Sequence, residues 1–328
     1  MHSFISTKAM NRSLSLRQTA ALFTVSMLCV ACPLRAQVYA EMLLSDKSAG
    51  HKPIQSLSVP GGVDVYNNLH HHGPAFENEL VAYRIYFDHR QTIDIYGKRR
   101  KGLELAHTQF YPTPEDIADG YGDDILWAGT TVSVGSFRGF TEGAPSFIQP
   151  VDLRTERIVT YGPDRTVVEV CDDGWEYQGQ KIDMVQRYTL EAGHRDVRVD
   201  ITLTSDQPIS APFCTGVLAF PHGATYSDHQ GLCASWGTNW AYGPRDTLNT
   251  DRRATLGVAV CIPRRYVVGE PDNDENLLYL IGPRTAKKRI RLTYWIAFCS
   301  DMETWEGSLH SADEWFAWVQ AWKEERCK

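Results

Sequence analysis

Short runs of alternating apolar and polar residues dominate the chain from about residue 60 onward. Turn residues interrupt these runs at intervals of roughly ten to fifteen residues, with Gly-Pro-Asp at 162–164 and Asp-Asp-Gly at 172–174 as examples. Because successive side chains of a strand point to opposite faces, this pattern is typical of antiparallel sheets. The sequence therefore predicts a mainly β protein built as a large antiparallel β-sandwich.

The clearest alternation covers residues 79–88, and a second one covers residues 92–97. In the first run, apolar side chains on one face alternate with the polar side chains of Arg84, Tyr86 and Asp88 on the other. The three residues 89–91 between the runs predict a hairpin turn. One face of this hairpin is expected to pack in the core, and the other is polar enough to carry chemistry.

Alternation predicts further strands at 130–134, 157–161, 166–171, 184–189, 197–204, 256–261, 277–281 and 290–298. Near the C-terminus, Ser311 and Glu314 are spaced as a helix capping box, and they precede a stripe formed by Trp315, Trp318, Val319 and Trp322. This stripe predicts a C-terminal helix with its apolar face against the core, with a sugar-stacking platform as the alternative. No repeat or composition break divides residues 37–328, so we expect a single catalytic domain.

The first 36 residues are typical of an export signal peptide. Basic residues precede an apolar run at 19–31, and Ala36 is a suitable cleavage position. The sequence thus predicts a periplasmic or secreted protein, with a lipid anchor on Cys32 as an alternative. No other stretch is long and apolar enough to predict a membrane span.

Charge and composition exclude several classes of protein. The chain has 33 basic and 40 acidic residues, which disfavours binding to nucleic acid. An anionic ligand then requires a locally basic pocket. There is no phosphate-binding loop, no GxGxxG and no GxSxG motif, so neither a nucleotide cofactor nor a serine nucleophile is indicated. The remaining chemistry consists of histidine, tyrosine, arginine and carboxylate side chains on an aromatic-rich β scaffold. This combination is typical of a carbohydrate-active protein.

The densest cluster of chemically active residues is His70-His71-His72-Gly73-Pro74, which is followed by Glu77, Glu79 and the Arg84 face. If residues 70–72 are extended, His70 and His72 share a face and could reach one metal ion, while His71 points the other way. The alternative is that these imidazoles bind loop carbonyl groups. No cofactor is required by the sequence, and a divalent cation remains the alternative.

Other candidates lie farther along the chain. His222 stands in a Phe-Pro-His-Gly loop after an apolar strand, and His107 lies just before Phe110 and Tyr111. The tract 120–138, which contains Trp127 and Arg138, is typical of a binding loop that leads into a strand. A buried tryptophan with acidic turn residues is the alternative interpretation. The basic runs at 98–101 and 287–289 either attract an anionic sugar or are solvated turns.

The stretch Tyr66-Asn67-Asn68-Leu69-His70-His71-His72-Gly73-Pro74-Ala75-Phe76-Glu77-Asn78-Glu79 resembles the signature of an exported bacterial family of polysaccharide-degradation proteins. The resemblance continues through residues 83–88, 94–98 and 120–124. This family was formerly uncharacterised and includes a dehydratase of ulvan oligosaccharides. The resemblance implies a galactose-mutarotase-like supersandwich and a catalytic histidine, without fixing its position.

The implied reaction removes the C5 proton of a terminal uronic acid and expels the oxygen on C4, as water in a dehydratase or as a sugar in a polysaccharide lyase. We predict that Arg84 neutralises the substrate carboxylate, because its planar fork matches that group. His72 and His222 are the predicted base and acid in undecided order, Tyr111 is a second proton donor, and Glu77 or Glu79 orients an imidazole. The further predicted substrate-binding residues are His71, Tyr86, Trp127 and Arg138.

Two other functions remain open at this point. A glycoside hydrolase would need two carboxylates about 5 to 10 Å apart. A sugar-binding module would use tryptophans as platforms and would need no proton donor. In each case the predicted partner is an acidic oligosaccharide, and the protein is a monomer or a homodimer.

Overall fold

The computed structural model describes residues 37–46, 50–160, 162–242 and 252–327. The predicted signal peptide at 1–36 and the alternative anchor Cys32 lie outside the described residues. None of the described helices has the length and apolar character needed to cross a bilayer.

The strands pair antiparallel throughout the described chain. In chain order they are β1 (Val38–Glu41), β2 (Leu43–Asp46), β3 (Gly50–Pro53), β4 (Ser56–Pro60), β5 (Ala75–Asn78), β6 (Ala82–Ile85), β7 (Ile93–Gly97), β8 (Asp123–Asp124), β9 (Arg138–Thr141), β10 (Ala144–Ser146), β11 (Leu153–Thr160), β12 (Arg165–Tyr177), β13 (Gln180–Glu191), β14 (Asp196–Ile209), β15 (Phe213–Leu218), β16 (Ala224–Ser227), β17 (Leu232–Asn239), β18 (Ala254–Cys261), β19 (Val267–Gly269), β20 (Asn276–Ile281) and β21 (Lys287–Ser300). The helices are α1 (Leu105–Thr108), α2 (Pro114–Ala118) and α3 (Ala312–Arg326).

A nine-stranded sheet in the order β16-β17-β18-β21-β14-β13-β12-β11-β4 forms the broad layer. Two five-stranded sheets, β1-β5-β6-β7-β8 and β10-β9-β15-β20-β19, and the small pair β2-β3 complete the described strands. The nine-stranded sheet and both five-stranded sheets contribute side chains to one continuous apolar core, for example Tyr188, Phe76 and Phe213. The predicted mainly β, antiparallel sandwich with a C-terminal helix is confirmed.

The predicted hairpin is formed by β6 and β7, whose register pairs Arg84 with Asp94 and Tyr83 with Ile95. Tyr83 and Ile95 lie in the core. Since side chains alternate along each strand, Arg84 and Asp94 face the opposite side of the sheet together. This register determines the geometry of the candidate site.

Helix α3 covers the outer face of the nine-stranded sheet over β17, β18 and β21. Its N-terminus is capped by the Ser311 side chain, which accepts a hydrogen bond from the Glu314 amide. The predicted tryptophan stripe packs as expected, with Trp315 and Trp322 buried against the sheet. A disulfide joins Cys261 of β18 to Cys327 at the end of the helix.

The strand predicted at 130–134 is wrong. Ser133 and Gly135 have positive φ angles of 51° and 79°, so the chain turns here, and within 130–134 one residue, Val134, makes an isolated bridge to Val217. The Ser133 hydroxyl donates to the carbonyl of Ile93, which ties this turn to β7. Long-range packing against the hairpin has overridden the local β-propensity of this segment.

Candidate functional site

A cavity of about 290 Å³ lies on the polar side of the β6–β7 hairpin. The predicted site residues that line it are His72, Arg84, Tyr86, Tyr111 and Trp127. Residues that the sequence analysis did not assign to the site also line it, among them Tyr66, Arg90, Asp124 and Arg252. The structure thus gathers five of the predicted residues, from four separate chain segments, into one place.

Arg84 is the structural centre of this cavity and is only 3% exposed. Its Nη2 lies 2.6 Å from Asp94 Oδ2 and 2.8 Å from Asp124 Oδ2. Its Nη1 donates to the hydroxyl of Tyr111 at 2.9 Å, and Nη2 donates to the hydroxyl of Tyr86 at 3.1 Å. The guanidinium therefore binds two carboxylates of the protein itself. The prediction that it clamps a substrate carboxylate does not fit this arrangement, because the side chain is buried and all three guanidinium nitrogens already donate to protein groups.

The sheet register explains why these groups meet. Asp94 is the cross-strand partner of Arg84, and Asp124 of β8 pairs with Tyr96 on the far side of β7. Burial raises the pKa of Asp124 well above its usual value, while the charge of Arg84 opposes that shift. Burial also raises the pKa of Tyr86 well above its usual value. The Tyr86 phenol stays protonated and donates its proton to Asp94.

His72 presents a free imidazole nitrogen to the cavity. Its Nδ1 lies 2.8 Å from the carbonyl oxygen of Tyr66. A carbonyl can only accept, so Nδ1 carries the proton and Nε2 holds a lone pair. Among the described residues, Nε2 has no hydrogen-bond partner. Burial lowers the pKa of His72, although the Tyr66 carbonyl opposes the shift, so the ring is neutral at pH 7.

The imidazole ring of His72 is also held by aromatic contacts. It stacks on the Tyr66 ring at a centroid distance of 3.7 Å and an interplanar angle of 5°. The edge of Tyr86 contacts it at 5.9 Å. Since His72 has a positive φ of 67°, the loop places its side chain by a backbone conformation that side-chain-bearing residues rarely adopt. Such local strain is common where a side chain must be held for function.

Tyr111 presents a phenol to the same cavity. Its hydroxyl oxygen accepts a hydrogen bond from Arg84, and among the described residues no acceptor takes the phenol proton. Burial raises the pKa of Tyr111, so this proton is retained at neutral pH. The ring centroids of Tyr111 and His72 are 6.4 Å apart. The cavity therefore combines a neutral base with a protonated acid.

The segment that delivers Tyr111 was not predicted as helical. It follows α1, whose C-cap residue Gln109 adopts a left-handed conformation. Phe110 also has a positive φ, of 71°, and its ring lies 4.1 Å from the Arg84 guanidinium carbon. The left-handed conformations of Gln109 and Phe110 turn the chain so that the Phe110 ring packs on the Arg84 guanidinium and Tyr111 lines the cavity. The helix is too short for apolar periodicity to reveal it.

Arg90 is a cavity residue that the sequence analysis treated only as part of a turn. Its guanidinium pairs with Asp88 and lies over the rings of Tyr66 and Tyr86, at 5.0 and 5.3 Å. Asp88 already accepts the backbone amides of Arg90 and Gln91 through its other oxygen. His72 contacts the same two tyrosines, so Arg90 and His72 share two aromatic neighbours at the cavity.

The other two histidines of the cluster have different surroundings. Residues 70–72 form a turn rather than an extended segment, so the shared face expected of His70 and His72 is absent. His70 stacks on His51 at 3.6 Å, and burial lowers the pKa of His70 to about 4. His71 is fully buried, with Nδ1 on the Gly73 carbonyl at 2.8 Å and Nε2 on Glu41 at 3.1 Å. His71 thus holds the loop in place and does not line the cavity, contrary to its predicted contact with substrate.

Glu77 does not orient an imidazole. It is completely buried and pairs with the Lys98 ammonium group at 2.5 Å. It also accepts the backbone amides of Glu104 and Leu105 at 2.9 and 2.8 Å. Burial raises its pKa, while Lys98 opposes that shift. Glu77 therefore fixes the start of α1 to β5, and its position does not support the predicted catalytic role, because its oxygens bind Lys98 and backbone amides.

Arg138 and His222 also lie away from the cavity. Arg138 is buried, donates to Thr92 Oγ1 at 3.0 Å and to its neighbour's carbonyl, and has a pKa lowered to about 10 by burial. His222 is exposed in the turn between β15 and β16 and has a positive φ of 61°. Neither lines the cavity, so the predicted roles of both residues are not supported by their positions.

Trp127 is at the rim, 48% exposed, with its amide bound to Asn239.

No metal-binding cluster is found in the described parts of the chain. There, no three or more histidine, cysteine, aspartate or glutamate side chains are grouped so that they could hold an ion. Asp94 and Asp124 are drawn together by Arg84 rather than left open for a cation.

Comparison with known proteins places the sequence in a family. The model of the domain of unknown function DUF4861 matches residues 18–327. The chain belongs to the DUF4861 family. This agrees with the predicted membership in a family formerly of unknown function, whereas the link to ulvan stays a prediction. A search of curated proteins found no match.

Three solved structures show a distant likeness to this DUF4861 protein. A TPR-domain containing protein from Parabacteroides distasonis is 8% identical with a TM-score of 0.39, covering 88% of this chain and 63% of its own. A protein described as an aldose 1-epimerase from Klebsiella pneumoniae is 7% identical with a TM-score of 0.40, covering 89% and 96%. The GH36 α-galactosidase AgaB from Geobacillus stearothermophilus is 10% identical with a TM-score of 0.26, covering 68% and 39%. Likeness this distant says nothing about the chemistry of the cavity.

Proposed function

We propose that this DUF4861 protein is an oligosaccharide dehydratase that removes water across C4 and C5 of a terminal uronic acid. The observation that carries the proposal is that one cavity is lined by both His72, whose Nε2 is unprotonated, and Tyr111, whose phenol proton has no acceptor among the described residues. An elimination needs one group to accept a proton and another to supply one.

The proton balance of the reaction fits these two residues. Nε2 of His72 takes the proton from C5, and the electron pair of that C–H bond forms the C4=C5 double bond. The C4–O bond breaks, and the Tyr111 phenol gives its proton to the departing hydroxyl, which leaves as water. If the oxygen on C4 carried a sugar instead, the same steps would describe a polysaccharide lyase.

The C5 proton is acidic enough to be removed only if the adjacent carboxylate is neutralised. We assign this role to Arg90 in place of Arg84, because Arg90 pairs with one carboxylate, that of Asp88, and its side chain is 27% exposed, whereas Arg84 is buried between two carboxylates. Arg90 and His72 contact the same two tyrosine rings and line the same cavity. The uronate carbon that carries the carboxylate also carries the proton to be removed, so one sugar presents both groups together. In this proposal Arg90, and not a divalent cation, supplies the positive charge.

Arg84 acts through other residues and is a positioning residue. It fixes the hydroxyl of Tyr111 by donating to it, and it leaves the phenol proton free to be transferred. Asp94, Asp124 and Tyr86 accept its other hydrogen bonds. Holding the acid in place before substrate arrives lowers the cost of ordering it during the reaction.

The decisive experiment incubates the protein with a panel of uronate-containing oligosaccharides. We expect loss of one water by mass and new ultraviolet absorbance from the conjugated double bond. His72→Ala should lower the rate by about 10²- to 10⁴-fold, the usual contribution of a general base. The matched control is His222→Ala, because that histidine is exposed and lies away from the cavity.

Three results would contradict the proposal. The first is an unchanged mass and absorbance on every oligosaccharide of the panel. The second is full activity of the His72→Ala protein, and the third is an equal loss in both histidine variants. If the substrate loses a sugar instead of water, the reaction is that of a polysaccharide lyase, and the proposed roles of His72 and Tyr111 are unchanged.

A further inference from the structure

A second and larger cavity, of about 720 Å³, adjoins the one that contains His72. Both cavities are lined by Tyr66 and Arg90, which therefore form the boundary between them. The Arg90 guanidinium lies over the Tyr66 ring at 5.0 Å, so the boundary consists of one stacked pair of side chains. The two hollows therefore meet at Tyr66 and Arg90.

We propose that this second cavity is the subsite for the sugar that precedes the terminal uronate. The inference rests on the proposed function, because it takes the terminal sugar to lie between His72 and Tyr111. A cavity of 290 Å³ is at the lower end of the usual range of small-ligand sites, about 300 to 1,000 Å³. It has room for one sugar ring, and the next ring must pass Tyr66 and Arg90.

Arg154 gives the second cavity a buried hydrogen-bond donor. This residue is 8% exposed, and its Nε binds Asp172 at 2.7 Å while Nη2 binds the Ile148 carbonyl at 2.5 Å. Its remaining nitrogen, Nη1, has no partner among the described residues and is not among their buried unsatisfied atoms. Arg154 lines the cavity, so Nη1 is available to the oxygen atoms of a ligand.

His89 supplies a second polar group on the same wall. Its ring contacts the edge of Phe147 at 5.1 Å, and within the described chain its ring nitrogens have no hydrogen-bond partner. Burial lowers the pKa of His89, so the ring is neutral and offers both a donor and an acceptor. A sugar hydroxyl, which also donates and accepts, matches that pair.

Val63 marks the outer side of this cavity and is 51% exposed. A tryptophan at this position would fill space that the second sugar needs. Val63→Trp is therefore the main test variant. Its matched control is Val159→Trp, because Val159 is 47% exposed and lines a different hollow.

The test compares two substrates that share the same terminal uronate, one as its methyl glycoside and one as a disaccharide. We expect the unaltered protein to have a kcat/KM for the disaccharide at least about tenfold above that for the methyl glycoside, equivalent to about 1.4 kcal/mol of added binding. Val63→Trp should reduce this ratio to near one, His89→Ala should reduce it in part, and Val159→Trp should preserve it.

Binding measured without turnover separates this inference from the proposed function. Calorimetry of the same disaccharide with the inactive His72→Ala protein, with and without Val63→Trp, should show weaker binding in the double variant. If no uronate is dehydrated but Val63→Trp still weakens disaccharide binding, the proposed function fails and the subsite stands. Three results would refute the subsite. The first is a ratio of kcat/KM for the disaccharide to that for the methyl glycoside near one in the unaltered protein. The second is a Val63→Trp protein that keeps both this ratio and the affinity for the disaccharide, and the third is a Val159→Trp protein that behaves like Val63→Trp.

Discussion

At the scale of single residues, the candidate site depends on which polar groups are already used within the protein. Arg84 has the chemistry to bind a substrate carboxylate, but Asp94 and Asp124 occupy it. His71 and His72 are adjacent in sequence, yet only His72 keeps a free nitrogen in the cavity. Residue type suggested the chemistry, and hydrogen-bond partners decided which residue can perform it.

The pH dependence of the reaction follows from the two proposed proton-transfer groups. Burial lowers the pKa of His72 below its ordinary 6.5, so kcat/KM should decline with acid at a midpoint below pH 6.5. Burial raises the pKa of Tyr111 above its ordinary 10, so the alkaline decline should begin only above pH 10. The check is a pH profile of kcat/KM. The residual activity of Tyr111→Phe should still decline in acid but should no longer decline at alkaline pH. An acid decline with its midpoint above pH 6.5 would contradict the assignment of His72.

Arg90 provides a test of how the acidic group of the substrate is recognised. Arg90→Gln should lower kcat/KM for a uronate substrate about 100-fold, since a charge-assisted contact is worth roughly 1.5 to 3 kcal/mol. It should lower the affinity for a neutral sugar of the same shape far less. Steady-state kinetics on the uronate and calorimetry on both sugars measure the difference. Arg284→Gln is the control, because Arg284 is exposed and lines other hollows. Equal losses on the acidic and neutral sugars would remove the carboxylate-binding role.

At the scale of elements, helix α3 and the hairpin show how local patterns become tertiary contacts. The stripe that begins at Trp315 predicted both the helix and its buried face. A side chain added at Gly257 of β18 would place its Cβ 2.6 Å from the Trp315 ring, so the helix packs directly on bare backbone there. The short helix α1 left no comparable signal, and the sequence analysis missed it.

The contact between Gly257 and Trp315 can be tested with a double-mutant cycle. Trp315→Ala should lower the free energy of unfolding by about 3 to 5 kcal/mol. Gly257→Ala should lower it by about 1 to 3 kcal/mol through overpacking. The double variant should lose less than the sum, because removal of the ring makes room for the methyl group. Urea denaturation measures all four proteins, and strictly additive losses would show that the two residues do not pack together.

At the scale of the whole molecule, the nine-stranded sheet and the two smaller sheets share one apolar core. The chain carries more acidic than basic residues, so an anionic substrate is attracted only where arginines line a cleft. Arg90 and Arg154 line the larger cavity, and Arg84, Arg90 and Arg252 line the smaller one. Asp64 and Asp88 also line the larger cavity, and Asp123 and Asp124 the smaller one, so recognition of an acidic oligosaccharide depends on individual guanidinium groups rather than on a net positive charge of the cleft.

The sequence by itself determined the β6–β7 hairpin, the strands β11 to β14, β18, β20 and β21, the C-terminal helix and the chain segments that hold the candidate site. Those features depend on the periodicity of neighbouring residues, which is visible in the chain. Only the tertiary structure decided that Arg84 is neutralised, that Glu77 is a buried structural carboxylate and that Tyr111 meets His72. Burial and ion pairing join residues up to 129 positions apart in this site, as in the pair of Asp123 with Arg252. The periodicity of neighbouring residues cannot indicate such distant partners.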